Sequence, residues 1–215
     1  WQIGTLPIFR RDGRGRALEV LCGRAMPHRA PTAAGSTDIK IGISACVLGQ
    51  EVRYDGGHKL DTLVRDTLGA LVRFVPVCPE VELGLGVPRT PVNLVRTGKS
   101  VRMIEAKTGA DHTAAMTAWA TRRVEALARE GLSGFIVQQG SPSCGVHGVE
   151  IHHGDGTGTI KRGRGLFTTA LAMRLPDLPV EEAERLHDPQ LRETFIERVF
   201  AYHRHLNEAP RRRRP

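Results

Sequence analysis

From residue 39 onward the chain alternates short apolar runs with stretches whose apolar residues recur every three or four positions. "IKIGIS" (Ile39 to Ser44) is a β-branched run of strand length and predicts the first strand. After the polar loop "GQEVRYDGGHK", Leu60, Leu63, Val64, Leu68 and Leu71 fall at helical spacing and predict a helix over 60–71. "RFVPV" (Arg73 to Val77) is the second strand, and a Gly/Pro-rich loop follows it. A long helix is expected from Asp111 to Glu130, with Met116, Trp119, Val124 and Leu127 as its apolar stripe, and "GFIVQ" (Gly134 to Gln138) is the next strand. "IHHGDG" (Ile151 to Gly156) reads as a hairpin, since adjacent histidines on a strand point to opposite faces. Between Leu178 and Leu206 an acidic opening leads into a helix with Leu191, Phe195, Val199 and Tyr202 on one face.

Alternating strands and helices predict an α/β fold: a three-layer, Rossmann-like domain with a largely parallel sheet. The expected organisation is an irregular, poorly ordered arm over 1–38, an α/β domain over 39–176, a helical extension over 177–207 and a basic tail over 208–215. The arm mixes Arg, Gly, Pro and Ala without a sustained period. With 215 residues, 40% of them hydrophobic, one good core is affordable to the chain. There is no apolar run of bilayer length and no compact apolar stretch at the start, so the expectation is a soluble, cytoplasmic protein without a membrane partner.

Charge changes the picture less than its size suggests. The formal net charge is +8, but the two ends, 1–38 and 208–215, carry +3 each and leave only +2 for residues 39–207. A solvated basic tail explains this better than a dedicated nucleic-acid surface.

Cysteine placement changes it more. Of four cysteines, Cys22 lies in the arm and is expected to be a bystander, while Cys46 and Cys78 each follow a predicted strand directly and Cys144 follows one by six residues. Cys144 sits in "GSPSCGVHG", where proline and glycine forbid a helix and small side chains leave the thiol and the backbone N–H groups accessible. In open parallel sheets, ligands bind beyond the carboxyl ends of the strands, so the fold would gather three cysteines that are 32 and 66 residues apart in sequence. No C-x-x-C pair marks a structural zinc site. Three thiolates without a fourth protein ligand suit an iron-sulfur cluster with one open iron; a three-ligand metal site and a thiol redox site remain alternatives on the residues alone.

Three blocks in order, "ISACVLGQEVRYDGGHK", "FVPVCPEVELGLGVPRTPVNLV" and "SPSCG", resemble the thiouracil desulfidase family over about Ile39 to Leu175. The resemblance implies a 4Fe-4S cluster on Cys46, Cys78 and Cys144, with one iron not ligated by protein and free to capture the sulfur of a thiocarbonyl. It implies hydrolytic replacement of that sulfur by oxygen in a thiolated pyrimidine base or nucleoside, with sulfide released. Glu80, two residues past a ligand, is the expected general base, against the bland reading of a solvated loop glutamate. By match to the family, Ser141 is the second catalytic candidate, holding the ring or relaying a proton.

Asp55, Arg89 and Ser143 complete the candidate substrate-contacting set, each with a plain structural alternative. Asp55 and His58 fit an ordinary surface loop about as well. Arg89 closes "GLGVPR", a stretch that serves either as a backbone wall for a planar ring or as a turn, and Ser143 reads better as a turn serine bonded to its own backbone. Gln138 stands where relatives carry lysine, a departure that weakens any charge contact there. Residues 177–207 resemble the junction before the helical domain of longer tRNA 4-thiouridine desulfidases and so predict the truncated start of a second domain. The competing functions are therefore a tRNA-modifying desulfidase module, with tRNA as partner, and a non-catalytic iron-sulfur or RNA-binding adaptor.

Overall fold

The structure, a computed structural model, describes residues 39–208 and the backbone of two short strands, β1 (Arg10–Arg11) and β2 (Ala17–Leu18), which pair antiparallel. The rest of the expected arm, with Cys22, and of the basic tail lies outside the described residues. Along the remaining chain run β3 (Lys40–Ser44), β4 (Arg73–Val77), β5 (Val92–Thr97), β6 (Ser100–Glu105), β7 (Leu132–Val137), β8 (Val149–His153), β9 (Thr159–Gly163) and β10 (Val180–Glu182). Among the described residues, the α-helices α1 (Pro79–Glu82), α2 (Thr113–Glu130), α3 (Leu166–Arg174) and α4 (Pro189–Glu208) accompany them.

Strands β10, β7, β3 and β4 form, in that order, a sheet in which every pairing is parallel. Strand β7 is buried along its whole length, as a central parallel strand must be, and its alternate residues feed two cores. Phe135 and Val137 join Trp119, Val124, Leu127 and Phe167 from α2 and α3 on one face. Ile136 joins Ile41, Ile43, Val64, Leu68, Phe195 and Val199 on the other. Helices on both faces of a parallel sheet make this the expected three-layer, Rossmann-like α/β fold. Gly42 permits one close contact across the sheet, since a Cβ there would run into the Phe135 ring.

Three features depart from the sequence reading. First, a second sheet, ordered β6-β5-β8-β9, occupies much of what reads as loop. Its β5–β6 and β8–β9 pairs are antiparallel and its β5–β8 pair is parallel, and Val92, Leu94, Met103, Val149 and Ile151 bind it to the core shared by α2 and α3. The β8–β9 pair is the expected hairpin, with Ile151 opposite Ile160.

Second, the helix expected over 60–71 shrinks to a short element built around a wide π-type turn at Val64–Leu68. The Asp61 carboxylate accepts the Val64 N–H at 3.0 Å and fixes the start beyond Leu60. Leu60 and Leu71, assigned to the apolar stripe by spacing, end up 36% and 43% exposed. Third, residues 177–207 pack within the same compact unit as the other described residues from Ile39 on. Strand β10 adds to the edge of the parallel sheet beside β7, and Phe195 and Val199 of α4 are buried in its core. The acidic "VEEAE" run conceals an edge strand of only 3 residues, too short for a periodicity to register.

Candidate active site

Because β3, β4 and β7 are parallel, their carboxyl ends lie at one edge of the sheet. The chain leaves β3 through a tight turn, Ala45–Leu48, closed by Gly49 at φ +89°, and the Cys46 carbonyl accepts the N–H groups of Gly49 (3.1 Å) and Lys59 (2.9 Å). Past β4, Cys78 is the extended residue just ahead of α1, with Pro79 fitting the first helical position. The loop after β7 delivers Cys144. All three cysteines line one cavity of about 370 Å³, together with Glu80, Arg89 and Ser141.

The three thiols are free and poorly solvated. Burial, and next the neighbouring Cys78, pushes the Cys46 thiol up to about 11. Cys78 is raised by burial too, and donates to the Val52 carbonyl at 3.7 Å. Burial raises Cys144 furthest, despite a hydrogen bond with Ser44 that works in the other direction. Thiolate is the reactive form, so alkylation at pH 8 of protein without metal should be slow at Cys46, by roughly a hundredfold relative to an ordinary thiol, and slowest at Cys144. Peptide mapping after timed iodoacetamide exposure reads the order; rapid labelling of Cys144 would mean that its loop opens.

That loop is built with unusual economy. The Ser141 hydroxyl oxygen accepts the N–H groups of Ser143 (3.2 Å) and Cys144 (3.1 Å), the local turn that the sequence reading gave to Ser143. Ser143 is instead fully buried and donates to Glu80 Oε1 at 2.8 Å, so the two serines exchange their expected local roles. Ser141 still has a hydroxyl hydrogen to offer the cavity that it lines. From behind, the first turn of α3 closes on the loop: Leu166 N–H donates to Pro142 O (3.2 Å) and Phe167 N–H to Ser143 O (3.0 Å). These are two of the orphan donors of a helix start. Gly165 is pressed on the same peptide, where a Cβ would overlap the Ser143 carbonyl and stand 2.6 Å from the Cys144 nitrogen. Gly165→Ala must therefore displace backbone beside Cys144, and a loss of roughly 1–3 kcal/mol on thermal unfolding is expected; an unchanged midpoint would contradict this packing.

Glu80 is a paired, nearly enclosed carboxylate rather than a solvated loop residue. Arg89 donates to its Oε2 from Nε (2.9 Å) and Nη2 (2.7 Å), and the Glu80 and Arg89 side chains are 13% and 7% exposed. Arg89 Nη1 also donates to the carbonyls of Val52 (3.0 Å) and Gly86 (2.9 Å). Arg89 is thus committed mainly to protein partners, and it is the sole member of the 84–89 stretch on the cavity wall. Asp55 is not on that wall: its carboxylate turns back to the Gly57 N–H (3.0 Å) and to Arg53 (3.4 Å), and the Gly57 N–H chiefly holds it below the usual carboxylate value. His58 likewise serves its own loop by accepting the Leu60 N–H at 3.2 Å.

The cavity also has polar walls that the sequence did not flag, Tyr54, Asn93 and Gln139, beside Gln138, which it did. Asn93 is the polar residue between inward-facing Val92 and Leu94 on β5, an alternation that is visible in "PVNLV" but masked by the prolines and glycines around it. Asn93 and Gln139 also border an adjoining polar groove with His147, His152 and Lys161.

Soft thiol donors converging from three parallel-strand ends, beside an enclosed carboxylate, define an α/β protein with a sulfur-lined pocket at the edge of its sheet. The chain belongs to the 2-thiouracil desulfurase family, whose model matches residues 41–183. It is similar to a solved structure described as the 4Fe-4S-dependent thiouracil desulfidase TudS, at 34% identity and a TM-score of 0.58, over 73% of this chain and 99% of that one. It is also similar to YbbK of Bacillus subtilis (strain 168), described as uncharacterized, at 28% identity over 151 residues, which is 68% of this chain and 97% of that protein. No helix among the described residues is long and apolar enough to cross a membrane.

Proposed function

We propose that this protein is a desulfidase that replaces the thiocarbonyl sulfur of a thiolated pyrimidine by oxygen, with a 4Fe-4S cluster held by Cys46, Cys78 and Cys144. The observation that carries the reading is the convergence of these three thiols on one cavity. The donor set fits the group. Thiolates are the usual ligands of such clusters, and all three thiols line the same cavity. When bound, the cluster would supply an open, thiophilic iron as acceptor for the departing sulfur.

The chain's own residues account for the rest of the reaction. Exchange of C=S for C=O consumes one water, releases hydrogen sulfide and needs no net electron transfer. A carboxylate offers about four acceptor positions. At Glu80 two are taken by Arg89 and one by Ser143, which leaves a position on Oε1 to hold the attacking water and receive its proton. Arg89 fixes that carboxylate in position and direction with two charge-assisted hydrogen bonds. Ser141 offers its hydroxyl hydrogen to the ring. The amides of Asn93, Gln138 and Gln139 provide the donors and acceptors that a pyrimidine edge needs, and the adjoining groove leaves room for the sugar of a nucleoside. Iron and acid-labile sulfide analysis of protein purified without oxygen tests the cofactor half of the reading: about four of each per chain is expected, and protein that reconstitutes with neither would overturn it.

A further inference from the structure

Glu182 is a buried carboxylate, 2% exposed, at the end of edge strand β10, and the reaction outlined above makes no use of it. Its Oε1 accepts two backbone N–H groups, from Val146 at 2.9 Å and His147 at 3.0 Å. Those are the second and third residues after Cys144. Strand β10 pairs with β7 so that Glu182 lies opposite Val137, the last residue before the loop begins. The loop that carries Cys144 therefore leaves the sheet at Val137 and is tied back to it, beyond the cysteine, by one side chain from the neighbouring strand.

We infer that Glu182 is a positioning residue that presents the Cys144 thiol to the site by fastening the outgoing half of its loop. Three physical points favour this over a merely space-filling role. Leu, Val or Ile would fill a buried edge position at less cost than a carboxylate, whose burial is unfavourable unless it is well paired. Hydrogen bonds to a charged acceptor are stronger than neutral ones, and two at one oxygen fix both position and direction. The incoming half of the loop and Gly145 have their own ties, from Ser141 and from the start of α3, and Glu182 is the side chain that holds the next two amides, Val146 and His147. The cofactor consequence rests on the desulfidase reading, but the loop geometry does not.

The test compares the wild type with Glu182→Leu, which fills the site without an acceptor, and Glu182→Gln, which keeps an acceptor but not the charge. Amide hydrogen exchange is followed by NMR on protein free of iron, with Ile41 and Ile43 of β3 as internal references. Expected is a selective loss of protection at Val146 and His147, tenfold or more in Glu182→Leu and several-fold in Glu182→Gln, with the β3 amides unchanged. After anaerobic reconstitution, chelator should then strip iron from Glu182→Leu about tenfold faster than from the wild type, and from Glu182→Gln at an intermediate rate. Protection at both amides equal to that of the wild type overturns the inference. If Glu182→Leu does not fold, Glu182→Gln decides by the same two amides. Should the wild type itself take up no cluster, the desulfidase reading fails while the exchange result on iron-free protein still stands or falls alone.

Discussion

Cys144→Ala is expected to abolish cluster binding altogether, and Cys46→Ala and Cys78→Ala to do the same. Each thiol comes from a different strand end, so none of the three has a neighbour able to take its place. Each thiolate also offsets iron charge, and binding couples to deprotonation, so losing one ligand weakens the hold on the whole assembly rather than on one iron. Cys144 is the most instructive of the three, because it alone among them is buried. Anaerobic reconstitution followed by iron analysis and visible absorption measures the effect. Near-normal iron in Cys144→Ala would remove that residue from the ligand set.

Glu80→Gln separates chemistry from binding. The amide keeps the shape and can accept from Arg89, but it cannot take up the proton of an attacking water. Turnover should fall about a hundredfold or more while the cluster absorption persists. Stability should fall too, because the change leaves Arg89, with a side chain only 7% exposed, facing a neutral partner. Breaking a buried pair commonly costs about 3–5 kcal/mol, with the retained amide oxygen keeping this case towards the lower end. Thermal unfolding alongside the rate assay tells the two effects apart. Full activity in Glu80→Gln would make the Glu80–Arg89 pair a structural tie alone, whereas loss of the cluster would place the carboxylate among the determinants of binding.

The parts of the fold that were legible in the sequence are those in which one local rule acts alone. Strands β3, β4 and β7 are β-branched runs, and their ends predict where the cysteines gather, because a parallel sheet puts every carboxyl end on one edge. The second sheet escaped because β5 and β6 are framed by prolines and glycines, whose turn signals outweigh a six-residue alternation. Leu60 and Leu71 misled because helical spacing says nothing about where a cap will start the helix, and Asp61 starts it after Leu60.

At the site, residue types pointed to the right neighbourhood but not to the partners. Glu80, Arg89, Ser141 and Ser143 were all candidates, yet only three-dimensional geometry reveals that Arg89 spends its donors on Glu80 and two carbonyls. In the same way, Ser141 and Ser143 are two residues apart in one motif, and sequence alone cannot tell which hydroxyl bonds the turn and which reaches 63 residues away to Glu80. Glu182 gave no signal at all: an acidic residue in an acidic run reads as surface, and its burial follows from a strand pairing that the run conceals.

The most direct measurement is a single-turnover and steady-state assay of anaerobically reconstituted protein with 2-thiouracil, 4-thiouracil and 4-thiouridine, following thione absorbance and released sulfide together. Bleaching of the thione band is expected in at least one of these substrates, with one sulfide appearing for each ring converted, and none of it in cluster-loaded Glu80→Gln at comparable times. Protein that carries its full iron yet leaves all three absorbances unchanged would overturn the desulfidase reading and mark this chain as a non-catalytic iron-sulfur protein.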